Sequence, residues 1–139
     1  MVYYEKGSAQ DSFSAEDLKN GLFEALGKIG AKNKVLAVPP DFTRFPSRAG
    51  ELTEFAWEYY GEKLTDILPA LGTHSPMTDS QIAHMFGKTP RHLFRDHDWR
   101  NDVVTLGTVP AEFVKEASEG AVDYPWPVQV NKLLVEGGF

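Results

Sequence analysis

The stretch Lys34-Val35-Leu36-Ala37-Val38-Pro39-Pro40-Asp41-Phe42-Thr43-Arg44-Phe45-Pro46-Ser47 decides how this chain reads. It opens as a short, apolar, β-branched run that predicts a strand over 34–38, and the double proline ends it. A polar loop follows, and Ser47 is placed to cap a helix reaching about Tyr60, with Leu52, Phe55, Ala56 and Tyr59 as its inward stripe. Upstream, Ser14 and Asp17 form a cap signal for a helix from about Ser14 to Lys28. That helix carries Leu18, Leu22, Ala25, Leu26 and Ile29 on one face and stops at Gly30. Downstream the unit repeats. Thr65-Asp66-Ile67-Leu68-Pro69-Ala70-Leu71 predicts a second strand, Gly72-Thr73-His74-Ser75-Pro76 a loop, and Thr78 with Gln81 a capping box for a helix burying Ile82, Met85 and Phe86.

Thr89-Pro90 opens a short helix to about Arg95, and Val103-Val104-Thr105-Leu106 is a third predicted strand. Strands alternating with amphipathic helices imply right-handed crossovers, hence an α/β fold, three-layered and Rossmann-like, with a mainly parallel sheet. Residues 112–117 and 122–130, flanking Ser118-Glu119-Gly120, are expected to form a peripheral C-terminal hairpin. Pro125 and Pro127 exclude that arm from a central strand. Residues 1–139 read as a single α/β domain. A helix start at Asn131 followed at once by the chain end reads as the truncated N-terminal domain of a two-domain protein.

Composition narrows the function. With 42% hydrophobic and 24% charged residues, the 139-residue chain can bury one core without covalent staples. It has no cysteine, which excludes disulfides, thiolate metal sites and thiol nucleophiles within these residues. A net charge of −6 argues against nucleic acid as a partner, because counterion displacement needs a basic field. The apolar runs are too short to span a membrane, and the first residues lack the layout of a signal peptide, so a cytoplasmic location is expected.

Two loops remain as carriers of chemistry, since ligands of open α/β sheets bind at the carboxyl ends of strands. In Asp41-Phe42-Thr43-Arg44, the guanidinium of Arg44 is suited to grip a carboxylate or phosphate bidentately, aided by the positive helix end near Ser47. Asp41 either accepts hydrogen bonds from ribose hydroxyls or orients Arg44; the plainer alternative is a contact that only stabilises the loop. In the second loop Gly72 and Pro76 present His74, whose imidazole is suited to take and return a proton. The plainer alternative there is an exposed or capping histidine. Because the loops follow consecutive strands, Arg44 and His74 are placed to face one ligand. His84 is expected to pack or face water and His92 to be solvated. His97 sits in a charged turn, while Trp99 and Trp126 read as packing residues. No glycine-rich phosphate loop, nucleophile elbow or HExxH pattern occurs, and no metal site is expected in this chain.

Taken together, these residues resemble a known family. Asp41-Phe42-Thr43-Arg44 resembles the D-x-T-R segment of the lactate racemase family, and Gly72-Thr73-His74-Ser75-Pro76-Met77 its G-T-H-x-P-M loop. Val130-Asn131-Lys132 resembles the helix start that follows the edge strands. The resemblance covers the whole chain and about the first third of a family member. It implies an isomerase that racemises or epimerises a 2-hydroxy acid by hydride transfer to a nickel-pincer nucleotide. Asp41, Phe42, Thr43 and Arg44 would then touch the cofactor. Arg44 would also hold the substrate carboxylate, and His74 would be one of two proton-transferring histidines. The family's second histidine, its cofactor-tethering lysine and its nickel-ligating histidine fall beyond Phe139. This chain alone is therefore expected to be inactive and cofactor-free, with the C-terminal part of the same protein as its partner. Ser75 stands where family members tend to carry arginine, which widens the substrate from lactate to 2-hydroxy acids in general. A reading of a different class is a non-catalytic module that binds anions or nucleotides.

Overall fold

Ser14 caps the first helix, α1 (Ala15–Ile29), through the box its sequence predicts. Its hydroxyl accepts from the Asp17 backbone N–H, Asp17 accepts from the Ser14 N–H, and Gly30 at φ 83° ends the helix. A computed structural model describes all residues, Met1–Phe139. They form two compact units, residues 1–97 with Phe139 and residues 98–138.

In the first unit, β1 (Val35–Ala37) lies parallel to β2 (Leu64–Ile67), joined by a crossover through α2 (Ala49–Tyr60). The pairing continues past both strands. Leu68 N donates to Ala37 O at 2.9 Å, Ala70 N to Pro39 O at 2.8 Å, and Pro40 bridges Ala70. The two loops that follow therefore leave the sheet side by side. Phe94 takes the other side of β2 by bridging Ile67, so the short helix expected to reach Arg95 shrinks to a 3-10 turn at Arg91–Leu93. The fold is α/β, as the alternation predicts.

The core lies between β2 and α3 (Asp79–Phe86). Leu64, Ile67, Leu71, Ile82, Met85, Phe86 and Phe94 are buried there, and Trp57 and Tyr60 pack against them. The inward stripe of α2 differs from the predicted one. Ala56, Trp57 and Tyr60 face the core. Leu52 and Tyr59 instead meet α1, where Tyr59 makes an edge contact with Phe23 at 5.1 Å. A helix packed on two sides has two apolar faces, and one stripe cannot describe both. Its start also differs. Ser47 ends a 3-10 turn (Phe42–Ser47), and Arg48 at φ 60° begins α2 without a side-chain cap. That left-handed arginine is held by Glu51 at 2.7 Å and by the Phe13 carbonyl at 2.8 Å.

Gly50 is the tightest point between α2 and α3. A Cβ there would sit 2.0 Å from the Met85 carbonyl oxygen, which is backbone and cannot move aside. Gly50→Ala in an ordinary helix would gain up to about 1 kcal/mol. Here it is expected to cost roughly 1–3 kcal/mol by overpacking. Urea unfolding checks this, and a midpoint equal to or above wild type would refute the close approach.

The second unit corrects two expectations. The strand at Val103, expected to extend the parallel sheet, is β3 (Val103–Val109) and pairs antiparallel with β4 (Trp126–Asn131). Residues 112–117, expected as one arm of a hairpin, form α4 (Ala111–Ala117). Ala111, Glu112, Lys115, Glu116 and Ala117 are strong helix formers, and Pro110 precedes the helix where its missing N–H costs nothing. Pro127, opposite Thr108, is tolerated because each strand of a two-stranded sheet is an edge. A short helix, α5 (Leu133–Glu136), follows β4. Trp126 does not pack as expected; it is half exposed and stacks on Tyr124 at 6.0 Å.

Candidate active site

Pro40 and Ala70 stand opposite one another, so Asp41 begins its loop beside the segment that carries His74. Gly72, at φ 59°, turns that segment sharply, and His74 N donates to Leu71 O at 2.9 Å. The two loops meet at their side chains, with His74 Nδ1 2.5 Å from Asp41 Oδ2. Asp41 Oδ1 accepts from the Thr43 backbone N–H at 3.0 Å and from the Thr43 hydroxyl at 2.5 Å. Asp41 is buried, at 6% exposure, whereas more than half of the His74 side chain reaches solvent.

The electrostatics follow from these partners. Burial alone would raise the Asp41 carboxyl. The hydrogen bonds from His74 and from the Thr43 side chain and backbone, together with the His74 charge, outweigh it and hold Asp41 below its ordinary value. An ionised carboxylate only accepts hydrogen bonds, so Nδ1 of His74 is the donor in this contact and Nε2 is the ring nitrogen left without a protein partner.

A depressed Asp41 also predicts acid behaviour. Its contribution to stability is complete above the ordinary value of 3.8 and is lost as pH falls through the lower folded value. The stability difference between wild type and Asp41→Asn should shrink as pH falls below 3.8. Urea midpoints across the acid range test this, and a difference that stays flat through the whole range would contradict the assignment.

Arg44 does not pair with the Asp41 carboxylate. It meets Asp41 only through the backbone, where its N–H donates to Asp41 O at 3.0 Å, and its guanidinium makes one long contact, 3.4 Å to the Thr43 hydroxyl. The remaining N–H groups of this exposed fork have no protein partner and suit a carboxylate or phosphate. Asp41 thus orients the histidine rather than the arginine, the alternative that sequence reasoning did not weigh. A cavity of about 170 Å³ opens beside the pair, lined by Asp41, Phe42, Thr43, His74, Ser75, Met77 and Gln81. Of these, Met77 and Gln81 were not foreseen as site residues; only their position just after the His74 loop hinted at it.

Two larger hollows lie elsewhere, one of about 260 Å³ between α1 and the N-terminal arm and one of about 520 Å³ at Trp57 and Leu93. Both are mainly apolar; Glu62 and His92 border the second without a hydrogen bond between them. Of the other histidines, His84 packs behind the site, stacking on Phe45 at 4.7 Å and meeting Phe42 edge-on at 5.9 Å, and His92 is exposed. No group of three His, Asp or Glu side chains converges to hold a metal ion. No helix is long and apolar enough to cross a membrane.

The class defined by these features is an α/β protein with a carboxylate–imidazole pair at the carboxyl ends of parallel strands. No family model matches the chain, and no curated protein matches it. It is similar to a Thermotoga maritima protein whose crystal structure was determined by a structural genomics consortium. The TM-score is 0.76 and the identity 33%, over 96% of this chain and 33% of that one. The chain thus spans about a third of that protein's length.

Proposed function

We propose that this chain is the N-terminal part of a lactate-racemase-like isomerase that inverts C2 of a 2-hydroxy acid. The observation that carries the reading is the contact of Asp41 with His74 across two loops that leave parallel strands together. Racemisation of a 2-hydroxy acid requires removal of the hydroxyl proton as the C2 hydrogen leaves. Nε2 of His74 takes that proton, and Asp41 holds the ring in the tautomer that permits it. Arg44 binds the substrate carboxylate and keeps C2 in place while the planar 2-keto acid presents its opposite face.

The residues present also suit part of the nickel-pincer nucleotide. The guanidinium of Arg44, which makes only one long contact to the Thr43 hydroxyl, suits its phosphate, whereas no group of three His, Asp or Glu side chains is placed to hold nickel. When bound, that cofactor supplies a hydride acceptor. Asp41, Phe42, Thr43 and Arg44 would border it, and the C-terminal part of the complete protein would supply the remaining contacts.

The test is racemisation of single enantiomers of several 2-hydroxy acids by the complete protein, loaded with cofactor and followed by chiral chromatography. Arg44→Ala should raise KM about 10- to 100-fold, the worth of a charge-assisted hydrogen-bonding pair, and Arg44→Lys should recover part of it. Unchanged kinetics in Arg44→Ala would remove it from the site. Tight anion binding by residues 1–139 alone, with no racemisation by the complete protein, would favour a non-catalytic binding module instead.

A further inference from the structure

Gln81 lies in the first turn of α3 and lines the cavity beside His74. Its Oε1 is committed, because it accepts from the Thr78 backbone N–H at 2.9 Å in the capping box. That bond fixes the amide, and its Nε2 group is left with two donors and no protein partner. Ser75, on the same cavity wall, has a hydroxyl that is likewise unpartnered. The other polar lining groups are taken, since Thr43 donates to Asp41 and Asp41 faces His74. The cavity therefore offers, next to the base, one fixed pair of donors and one hydroxyl that both donates and accepts.

We infer that Gln81 and Ser75 recognise a hydroxyl on C3 of the substrate, so that the preferred substrates are 2,3-dihydroxy acids rather than lactate. This rests on the proposed isomerase reading and narrows its substrate class. A methyl group at C3 would strip water from the Gln81 and Ser75 donors and return nothing, whereas a hydroxyl accepts from one and donates to the other. The cavity, about 170 Å³ and open to solvent, has room for a small acid beside His74.

The variant that isolates the effect is Gln81→Met. Methionine keeps the length of the side chain and leaves the Thr78 side chain to cap the helix, but removes the donor pair and offers the C3 hydroxyl no strong partner. In the complete, cofactor-loaded protein, the ratio of kcat/KM for glycerate over lactate should favour glycerate and fall about tenfold in Gln81→Met, through KM. A second readout needs no turnover. In amide-labelled 1–139, glycerate should shift the Gln81 side-chain NH₂ resonances more than lactate does at equal concentration. A ratio unchanged by the variant, or Gln81 resonances indifferent to the C3 hydroxyl, would overturn the inference and leave the isomerase reading standing. Failure of the complete protein to racemise any 2-hydroxy acid would end both.

Discussion

His74→Ala in the complete protein is expected to lower kcat for 2-hydroxy-acid racemisation by about 10²- to 10⁴-fold, the usual worth of a positioned general base. The argument starts from the two ring nitrogens. Nδ1 is occupied by the buried Asp41 carboxylate, and Nε2 has no protein partner on a side chain that is more than half exposed. One nitrogen is thus tied down to fix the ring, while the other is free to exchange a proton with a ligand. The same exposure means that removing the ring leaves no large cavity, so the fold should survive with at most a small change in stability. KM should move little, because the hydroxyl proton is transferred in the reaction rather than used to bind the acid. Measured kcat within a factor of about three of wild type, in a folded variant, would remove His74 from the chemistry.

Phe86→Ala is expected to produce the largest loss of stability, about 3–5 kcal/mol. Phe86 has no exposed surface, ends the inner face of α3, and packs edge-on against Phe94 with ring centroids 4.9 Å apart. Its removal takes away the contact between α3 and the segment bridging β2, and the backbone on either side is too constrained to fill the space. At roughly 4–8 °C per kcal/mol for a unit of this size, the melting temperature should fall by at least about 12 °C. Differential scanning calorimetry decides it; a fall of only a few degrees would mean that the core repacks around the gap. Because Gln81 and Thr78 sit at the opposite end of α3, this variant loses stability without losing a group that touches the cavity.

Local chemistry was legible wherever a few neighbouring residues settle a structure among themselves. The Ser14–Asp17 and Thr78–Gln81 boxes form as read, and Ile82, Met85 and Phe86 are buried as their spacing predicts. In the site, His74 and Arg44 were singled out because loops after parallel strands converge. The partner of Asp41 was not foreseen. Sequence proximity pointed to Arg44, three residues away, yet the carboxylate meets an imidazole thirty-three residues on. Only the parallel register, which carries Pro40 opposite Ala70, brings them together.

By itself the sequence determined the alternation of strand and helix as far as α3, the caps of α1 and α3, the inner face of α3 and the two loops that carry polar side chains. These depend on propensities and hydrogen bonds within a few residues. The tertiary structure decided the rest. It gave α2 two buried faces by placing it between α1 and the core, paired β3 with β4 rather than with the parallel strands, and assigned Asp41 to His74. Strand partners and cross-loop contacts join residues far apart in the chain, and their choice depends on which surfaces remain unburied after every nearer contact has formed.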